Sequence, residues 1–581
     1  MSKNINIVNR MIPCLLILSL SFSQTSFAES QKYVKKGGDG FSLKTQSTNA
    51  YIKQLEAENG IQYSKITHSR GAYVTSMCYT KTYDDDTGKT YNPCYSCHTK
   101  GILPNYYNDT NLQFEYNFPK ELTTNPYSNL FKDKTADIAA ISDTSILKYI
   151  RQSNYFDPRG KIELAEKLPQ NWAGYRPDCY FNFDQEGFDK SPEGQITGWR
   201  AFRYYPFLGT FWPSNGSTDD VLIRLDKRFA INNNGQFDLS FYKLNLSIVE
   251  ALIKQKNIPL SQAINEQDYG VDLNHNGHLD KAKIISAKIQ SYVGQAKKDL
   301  ANEKIHLALG LFPENTEFLH SVRYLDWDDA QEHIKLSARM KELRYAKKIG
   351  WSSYSQINRM AKSELWEIDA LDSTKAQLVT FRGNYEHGLN NPNSWVYQGF
   401  IEDKKGDLRP QTHEETIACM GCHSHLGATT DSVFAFPRKF TGIAPNQQDY
   451  GWNHWSQKGL IAIAEPKVSY KDYGEQYEYS FYLQNNHSGN EFRDNQEVIH
   501  KFFNKDGTAN KSNFKQLHQD ISILLFPSKQ RALKLNKAYK TIVDKQSYIF
   551  GRDANATVIK NVYKTIKDNQ LTGITQGIIR K

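Results

Sequence analysis

Apolar residues recur at three- and four-residue intervals in several stretches, the spacing that places them on one face of a helix. The pattern predicts helices over 50–58, 134–152, 161–167 and 244–256. It predicts three more over 281–309, 329–348 and 353–371, so 281–370 reads as the most helical part of the chain. An amphipathic helix is expected over 528–545. Between 170 and 245 the pattern changes. Aromatic residues and β-formers crowd into Trp199 to Phe207 and Gly209 to Pro213, and Val221-Leu222-Ile223-Arg224-Leu225 reads as a short strand. The expected fold is therefore mainly α (α+β overall), with long, partly β or irregular insertions.

The first residues read as an export signal. Lys3 and Arg10 form a positive n-region, and the mostly apolar run from Met11 to Phe22 is too short to span a bilayer comfortably. Ser26-Phe27-Ala28 supplies small residues for cleavage before Glu29. Cys14 sits inside the apolar run without the small residues that precede a lipid-modified cysteine, and reads as part of the signal. No later stretch is long and apolar enough for a membrane helix, so the mature chain is expected to be soluble and periplasmic. The formal net charge is +9, and cleavage would remove Lys3 and Arg10. No basic block occurs, so charge gives no case for nucleic acid.

Cysteine spacing carries the chemistry. Of seven cysteines, Cys14 belongs to the signal. Four others form Cys94-Tyr95-Ser96-Cys97-His98 and Cys419-Met420-Gly421-Cys422-His423. Two thiols two residues apart reach the two vinyl groups on one haem edge, and the following histidine offers a proximal nitrogen to the iron. A zinc site would need the pairs to converge as four thiolates, leaving both histidines idle. A thioredoxin-like dithiol would need a βαβ context. The reading is two covalent haems: Cys94 and Cys97 with axial His98, and Cys419 and Cys422 with axial His423. Cys78 and Cys179 remain; an oxidising compartment favours a disulfide between them, and Cys78 as an iron thiolate is the alternative.

These anchors divide the chain into a signal (1–28), an N-terminal haem region (29–168), an aromatic-rich mixed insertion (169–245), a helical middle region (246–378), a second haem region (379–445) and a C-terminal mixed or helical region (446–581). In the middle region, Asp272, Asn274, Asn276, His278 and Asp280 alternate around Gly277 as in a calcium loop, but Lys283 stands where the closing glutamate of an EF-hand belongs. Bound calcium and a plain Asn-Gly turn are both open.

The ligand inventory bears on the irons. After His98 no histidine occurs until His275 and no methionine until Met340; after His423 there is no methionine at all. That argues against two His/Met carriers and for bis-histidine irons, or for one such iron beside an open one. The sixth ligands are sought among His320, His68 and His454, with His320 favoured because it lies beside apolar residues on a segment that could press on a haem. Met77 is a further upstream candidate.

The two motifs resemble the class I cytochromes c around 90–100 and 415–425. In outline the chain is similar to large two-haem periplasmic enzymes, the di-haem peroxidases and rubber oxygenases, although His98 and His423 are separated by more chain than a compact peroxidase needs. The resemblance implies a haem protein with a redox partner protein. Electron transfer through two haems is the leading expectation. A di-haem oxidoreductase with one open iron, using Arg200 and Arg203 of the aromatic block, and a haem subunit of a larger redox complex are the alternatives.

Overall fold

The computed structural model describes residues 40–63, 65, 74–369, 381–424, 426–440, 451–567 and 569–581. The signal segment with Cys14, and the candidate ligand His68, lie outside the described residues.

The expectation of a mainly α fold is corrected: a ten-stranded sheet organises the chain. Its path runs Arg382–Asn384, Gly388–Asn390, Trp395–Glu402, His333–Lys348, Glu317–Asp328, Leu222–Arg224, Ile196–Ala201 and Phe188–Lys190. Leu408–Pro410 pairs with Trp395–Glu402, and Thr218–Asp219 pairs with Glu317–Asp328. Every pairing is antiparallel.

The helices expected over 281–309 and 329–348 are the main errors. The first stretch holds a strand, Lys281–Ile285, and only a short helix, Gln295–Ala301. The second is the 16-residue strand His333–Lys348. Its Lys, Leu, Ala, Arg, Met and Glu are good helix formers. They form a strand because long partners lie on both sides, Glu317–Asp328 and Trp395–Glu402. Met340, Lys341, Glu342 and Leu343 are all buried in succession, which erases the alternation of a half-exposed strand.

Elsewhere local signals hold. Helices span Leu239–Lys254, Tyr354–Asp369 and Lys529–Lys545, the last opened by Ser528, whose hydroxyl accepts the Arg531 amide. The expected 134–152 helix divides into Thr135–Ala139 and Asp143–Ile150, because Ser142 caps the second. Strand 222–224 falls inside the predicted 221–225.

Apolar residues pack on both faces of the sheet. Leu319, Met340, Leu343 and Phe400 join Trp199 and Tyr155 on one side. Phe318, Ala346 and Tyr397 join Phe436 and Trp212 on the other. The C-terminal segment returns to the start of the chain: Gln570 and Leu571 pair with Tyr116 and Glu115, and the Arg580 amide donates to Thr99 Oγ1 at 3.1 Å.

Candidate functional site

Both Cys-x-x-Cys-His motifs form the same turn. In the first, the Cys97 and His98 amides donate to the Cys94 carbonyl at 3.2 and 2.9 Å. In the second, the Cys422 and His423 amides donate to the Cys419 carbonyl, both at 3.2 Å. The first turn is anchored by Tyr95, buried against Tyr470, Phe481 and Tyr482. The second ends the helix His413–Met420, which opens with a capping box of Thr412 and Glu415. Glu415 is also gripped by Arg409 through two hydrogen bonds of 2.8 and 2.9 Å.

Each motif histidine is oriented through Nδ1. His98 Nδ1 lies 3.0 Å from Asp109 Oδ2, and His423 Nδ1 lies 2.9 Å from the Ser432 carbonyl. A carbonyl only accepts, so Nδ1 of His423 carries the proton and Nε2 presents its lone pair. The two environments differ. Burial opposes protonation of His98, but Asp109 and Cys78 outweigh it and push it up to about 10. For His423 burial dominates, with His320 and Arg344 adding to it, and holds it at about 4.

The Ser432 carbonyl is delivered by an unusual loop. Asp431 and Ser432 have left-handed backbones, φ 48° and 63°, a conformation that costs non-glycine residues about 1 kcal/mol or more each. A buried ion pair between Lys348 and Asp431, 2.6 Å, and the Phe312 amide at 3.0 Å on the same carboxylate hold it there.

The two motifs, distant in sequence, lie side by side. The Ala428 amide donates to the Cys97 carbonyl at 3.3 Å. Asn105 Nδ2 reaches the carbonyls of Leu426, Gly427 and Thr429 at 3.0, 3.3 and 3.1 Å. Gly427 is required here: a Cβ would sit 1.9 Å from the Thr99 carbonyl oxygen.

One cavity of about 680 Å³ is lined by Cys419, Cys422 and His423 of the second motif and by Cys97 of the first, while Cys94 and His98 are not among its lining residues; its size is within the range of cofactor sites. One wall is the sheet. Phe318, His320 and Val322 alternate along their strand and so share a face. Their cross-strand partners Ala346, Arg344 and Glu342 line the cavity too. Tyr204, Phe207 and Trp212 of the aromatic block, with Tyr397, Phe434 and Tyr539, supply aromatic surface. Polar atoms of six lining residues lack hydrogen-bond partners: Trp212 Nε1, Asp219 Oδ1, Glu491 Oε2, Arg531 Nε, Tyr539 Oη and Arg552 Nε. Aromatic walls, the thiols of Cys97, Cys419 and Cys422, and cations near unpaired polar atoms fit a flat, apolar macrocycle that carries carboxylates.

The other sequence-derived sites are placed as follows. His320 lines the cavity, with Nδ1 3.5 Å from Asp219 Oδ1. His454 does not serve as a ligand: it is buried, Nε2 is 3.0 Å from Asp220, and Nδ1 bonds Ser456. Cys78 and Cys179 are not joined, because Cys179 packs with Tyr155 and Trp199 while Cys78 packs with Tyr79 and Val74 in a separate cluster. Arg200 is sandwiched by Phe188 and Trp452, and Arg203 lies over Phe440, so neither faces the cavity. In the 272–280 loop, Asp272 accepts the Asn276 and Gly277 amides, and Asp280 accepts the Asn274 and Asn276 side chains. Buried Glu266 accepts the Leu273, Asn274 and Asp280 amides. His278 contributes its amide, which donates to the Asn276 side-chain oxygen. Among the described residues no three His, Cys, Asp or Glu side chains are grouped to hold a metal ion, which also sets the thiols apart from a four-thiolate zinc site. Sequence reasoning missed Asp109, Ser432 and Arg344. Asp109 and Ser432, eleven and nine residues after His98 and His423, lay near enough to their motifs to be sought, whereas Arg344 did not.

Residues 65–522 match a lipoprotein family. An uncharacterized lipoprotein of Aquifex aeolicus (strain VF5) is 31% identical over 529 residues, covering 84% of this chain and 86% of that protein. No solved structure matches. The resemblance to cytochromes c, di-haem peroxidases and rubber oxygenases is thereby corrected. It rested on two five-residue motifs, and so short a motif fixes a turn and its chemistry without fixing the fold around it. No helix among the described residues is long and apolar enough to cross a membrane.

Proposed function

The chain belongs to this family of lipoproteins, which are exported proteins, and on that premise we propose that it is a periplasmic electron-transfer protein carrying two covalent haems in its central cavity. The observation that carries the reading is that two like Cys-x-x-Cys-His turns lie side by side at one aromatic cavity, lined by Cys97, Cys419, Cys422 and His423, with both imidazoles anchored through Nδ1. Bound there, each group would supply an iron that takes up and releases one electron.

The protein's own residues would do the rest. Cys94 and Cys97 would hold the first group, with His98 as its axial ligand; Cys419, Cys422 and His423 would hold the second. Asp109 fixes the tautomer of His98 and raises its basicity, as a carboxylate behind a ligating histidine does. Ser432 offers His423 only a neutral carbonyl. The two irons would therefore differ in electron affinity, the first being the harder to reduce. His320 would serve the second iron from the sheet wall, steadied by Asp219. Arg344, whose Nε is bound to Glu342 at 2.9 Å, would place positive charge beside a carboxylate of the same group.

The test is direct. Protein purified from a host competent in cytochrome maturation is run on a denaturing gel stained for haem, and its haem is counted as the pyridine haemochrome. Two haems that survive denaturation are expected, with Cys419→Ala/Cys422→Ala retaining one. A protein with no covalent haem, or a variant that still holds two, refutes the assignment.

A further inference from the structure

Most carboxylates along the cavity wall are held by a counter-group. Glu342 accepts hydrogen bonds from Arg344 and Arg552 at 2.9 and 2.8 Å, Glu415 is paired with Arg409, and Asp219 lies 3.5 Å from the His320 ring. Glu491 lines the same wall and is 7% exposed, yet its Oε2 is buried with no hydrogen-bond partner. A buried polar atom left unpaired is costly, so its persistence at a cavity wall asks for a use.

The position is built. The Asn490 backbone bridges to Thr210, and its carbonyl accepts the Asn486 side chain at 2.6 Å and the Arg493 amide at 3.3 Å. Gly209 leaves the carboxyl its room: its φ is 74°, and a Cβ there would stand 2.6 Å from Glu491 Oε2 and 2.8 Å from Tyr482 Oη. The cations of neighbouring elements are turned elsewhere. Arg552 donates to Glu342, Arg493 Nε is 3.9 Å from Asp84, and Arg531 faces Asp494 and Glu497. The titratable groups that face Glu491 are acids and thiols: Asp494 on its own segment, Asp553 beside Arg552, Tyr482 on the helix Glu478–Asn486, and Cys78, Cys97 and Cys422. Burial, with Asp553 and Asp494 adding to it, raises the Glu491 carboxyl well above the ordinary glutamate range. The cavity also reaches solvent nearby, at the exposed Gln496 and Lys534.

We infer that Glu491 is the proton acceptor of the cavity, taking a proton from solvent when an iron held there gains an electron and returning it when the electron leaves. This rests on the two-haem reading given above. The electron comes from the redox partner protein and converts ferric iron to ferrous; the proton adds to a carboxylate oxygen of Glu491, so the charge of the cavity stays constant. Positive charge on ferric iron favours the carboxylate, and its loss favours the acid, because charges interact strongly across a cavity from which water is excluded.

The experiment uses the full-length holoprotein with its haemochrome count at two. Redox titration at several pH values is expected to show a midpoint that falls as pH rises, by up to about 59 mV per pH unit, the tenfold change in proton concentration converted for one electron. Infrared difference spectra of reduced minus oxidised protein should gain the carbonyl band of a protonated carboxylic acid, shifted in heavy water. Glu491→Gln should flatten the pH dependence and remove that band with both haems retained, whereas Asp494→Asn should keep both signals. The inference is overturned if the midpoints do not vary with pH, if the variation or the band survives in Glu491→Gln, or if Asp494→Asn removes them instead. A protein without covalent haem defeats the two-haem reading itself, and the haemochrome count separates that result from the others.

Discussion

Lys348→Met probes how the second motif histidine is held. Lys348 Nζ lies 2.7 and 2.6 Å from the two Asp431 oxygens, and both side chains are 1% exposed. Removing the ammonium leaves a buried carboxylate with the Phe312 amide as its remaining backbone donor, and breaking a buried pair in this way costs about 3–5 kcal/mol. The penalty depends on pH. Burial already raises the Asp431 carboxyl above its ordinary range even with Lys348 present, and the variant raises it further. A carboxyl raised in the folded state contributes its stability below the unfolded value and loses it as pH rises through the folded one. The deficit of Lys348→Met should therefore be largest at pH 8 and shrink towards pH 4. Urea unfolding at several pH values, followed by tryptophan fluorescence, measures it. Lys348→Met/Asp431→Leu removes both charges and should recover most of the loss. A single variant within about 1 kcal/mol of wild type at pH 8, or a double variant as unstable as the single, would refute the reasoning. The same variant frees the left-handed Asp431–Ser432 loop, so on the two-haem proposal the iron held by His423 should lose spectral homogeneity while the other is unchanged.

Three further outcomes are expected. Gly427→Ala drives a methyl to 1.9 Å from the Thr99 oxygen and 2.7 Å from Asp109 Oδ1; this overpacking should cost about 1–3 kcal/mol or more in urea unfolding and, on the two-haem proposal, should disturb the spectra of both irons. Glu465, buried and bonded by the Ser480 hydroxyl at 2.8 Å, is pushed up to about 7, chiefly by burial. Its contribution is present below the ordinary glutamate range and lost as pH rises through about 7, so wild type should lose about 3 kcal/mol relative to Glu465→Gln between pH 4.5 and 8 by urea titration. Mass analysis of the exported protein should find a mature chain starting at Glu29 where the Ser26-Phe27-Ala28 site is cut, whereas a diacylglyceryl group on Cys14 would refute that cleavage and match the lipoprotein description of the family.

The sequence by itself determined what is local. A Cys-x-x-Cys-His run sets its own turn, because the two amide bonds to the first cysteine's carbonyl that close it fall within five residues. Ser528 and Ser142 announce the helices they cap, and the helix at 354–369 declares itself by its own periodicity. Tertiary structure decided the rest. Residues 333–348 carry helix-forming side chains, yet two long neighbouring strands outbid that preference, since ladder bonds and burial on both faces outweigh a few tenths of a kcal/mol per residue. Of the histidines offered as sixth ligands, only apolar neighbours set His320 apart from His454 in sequence. Folding puts one on a cavity wall and closes both nitrogens of the other with Asp220 and Ser456. The pairing of the two motifs depends likewise on Asn105, Gly427 and Ala428, whose hydrogen bonds join segments more than three hundred positions apart. No periodicity encodes such contacts, because they exist only once the chain has closed on itself.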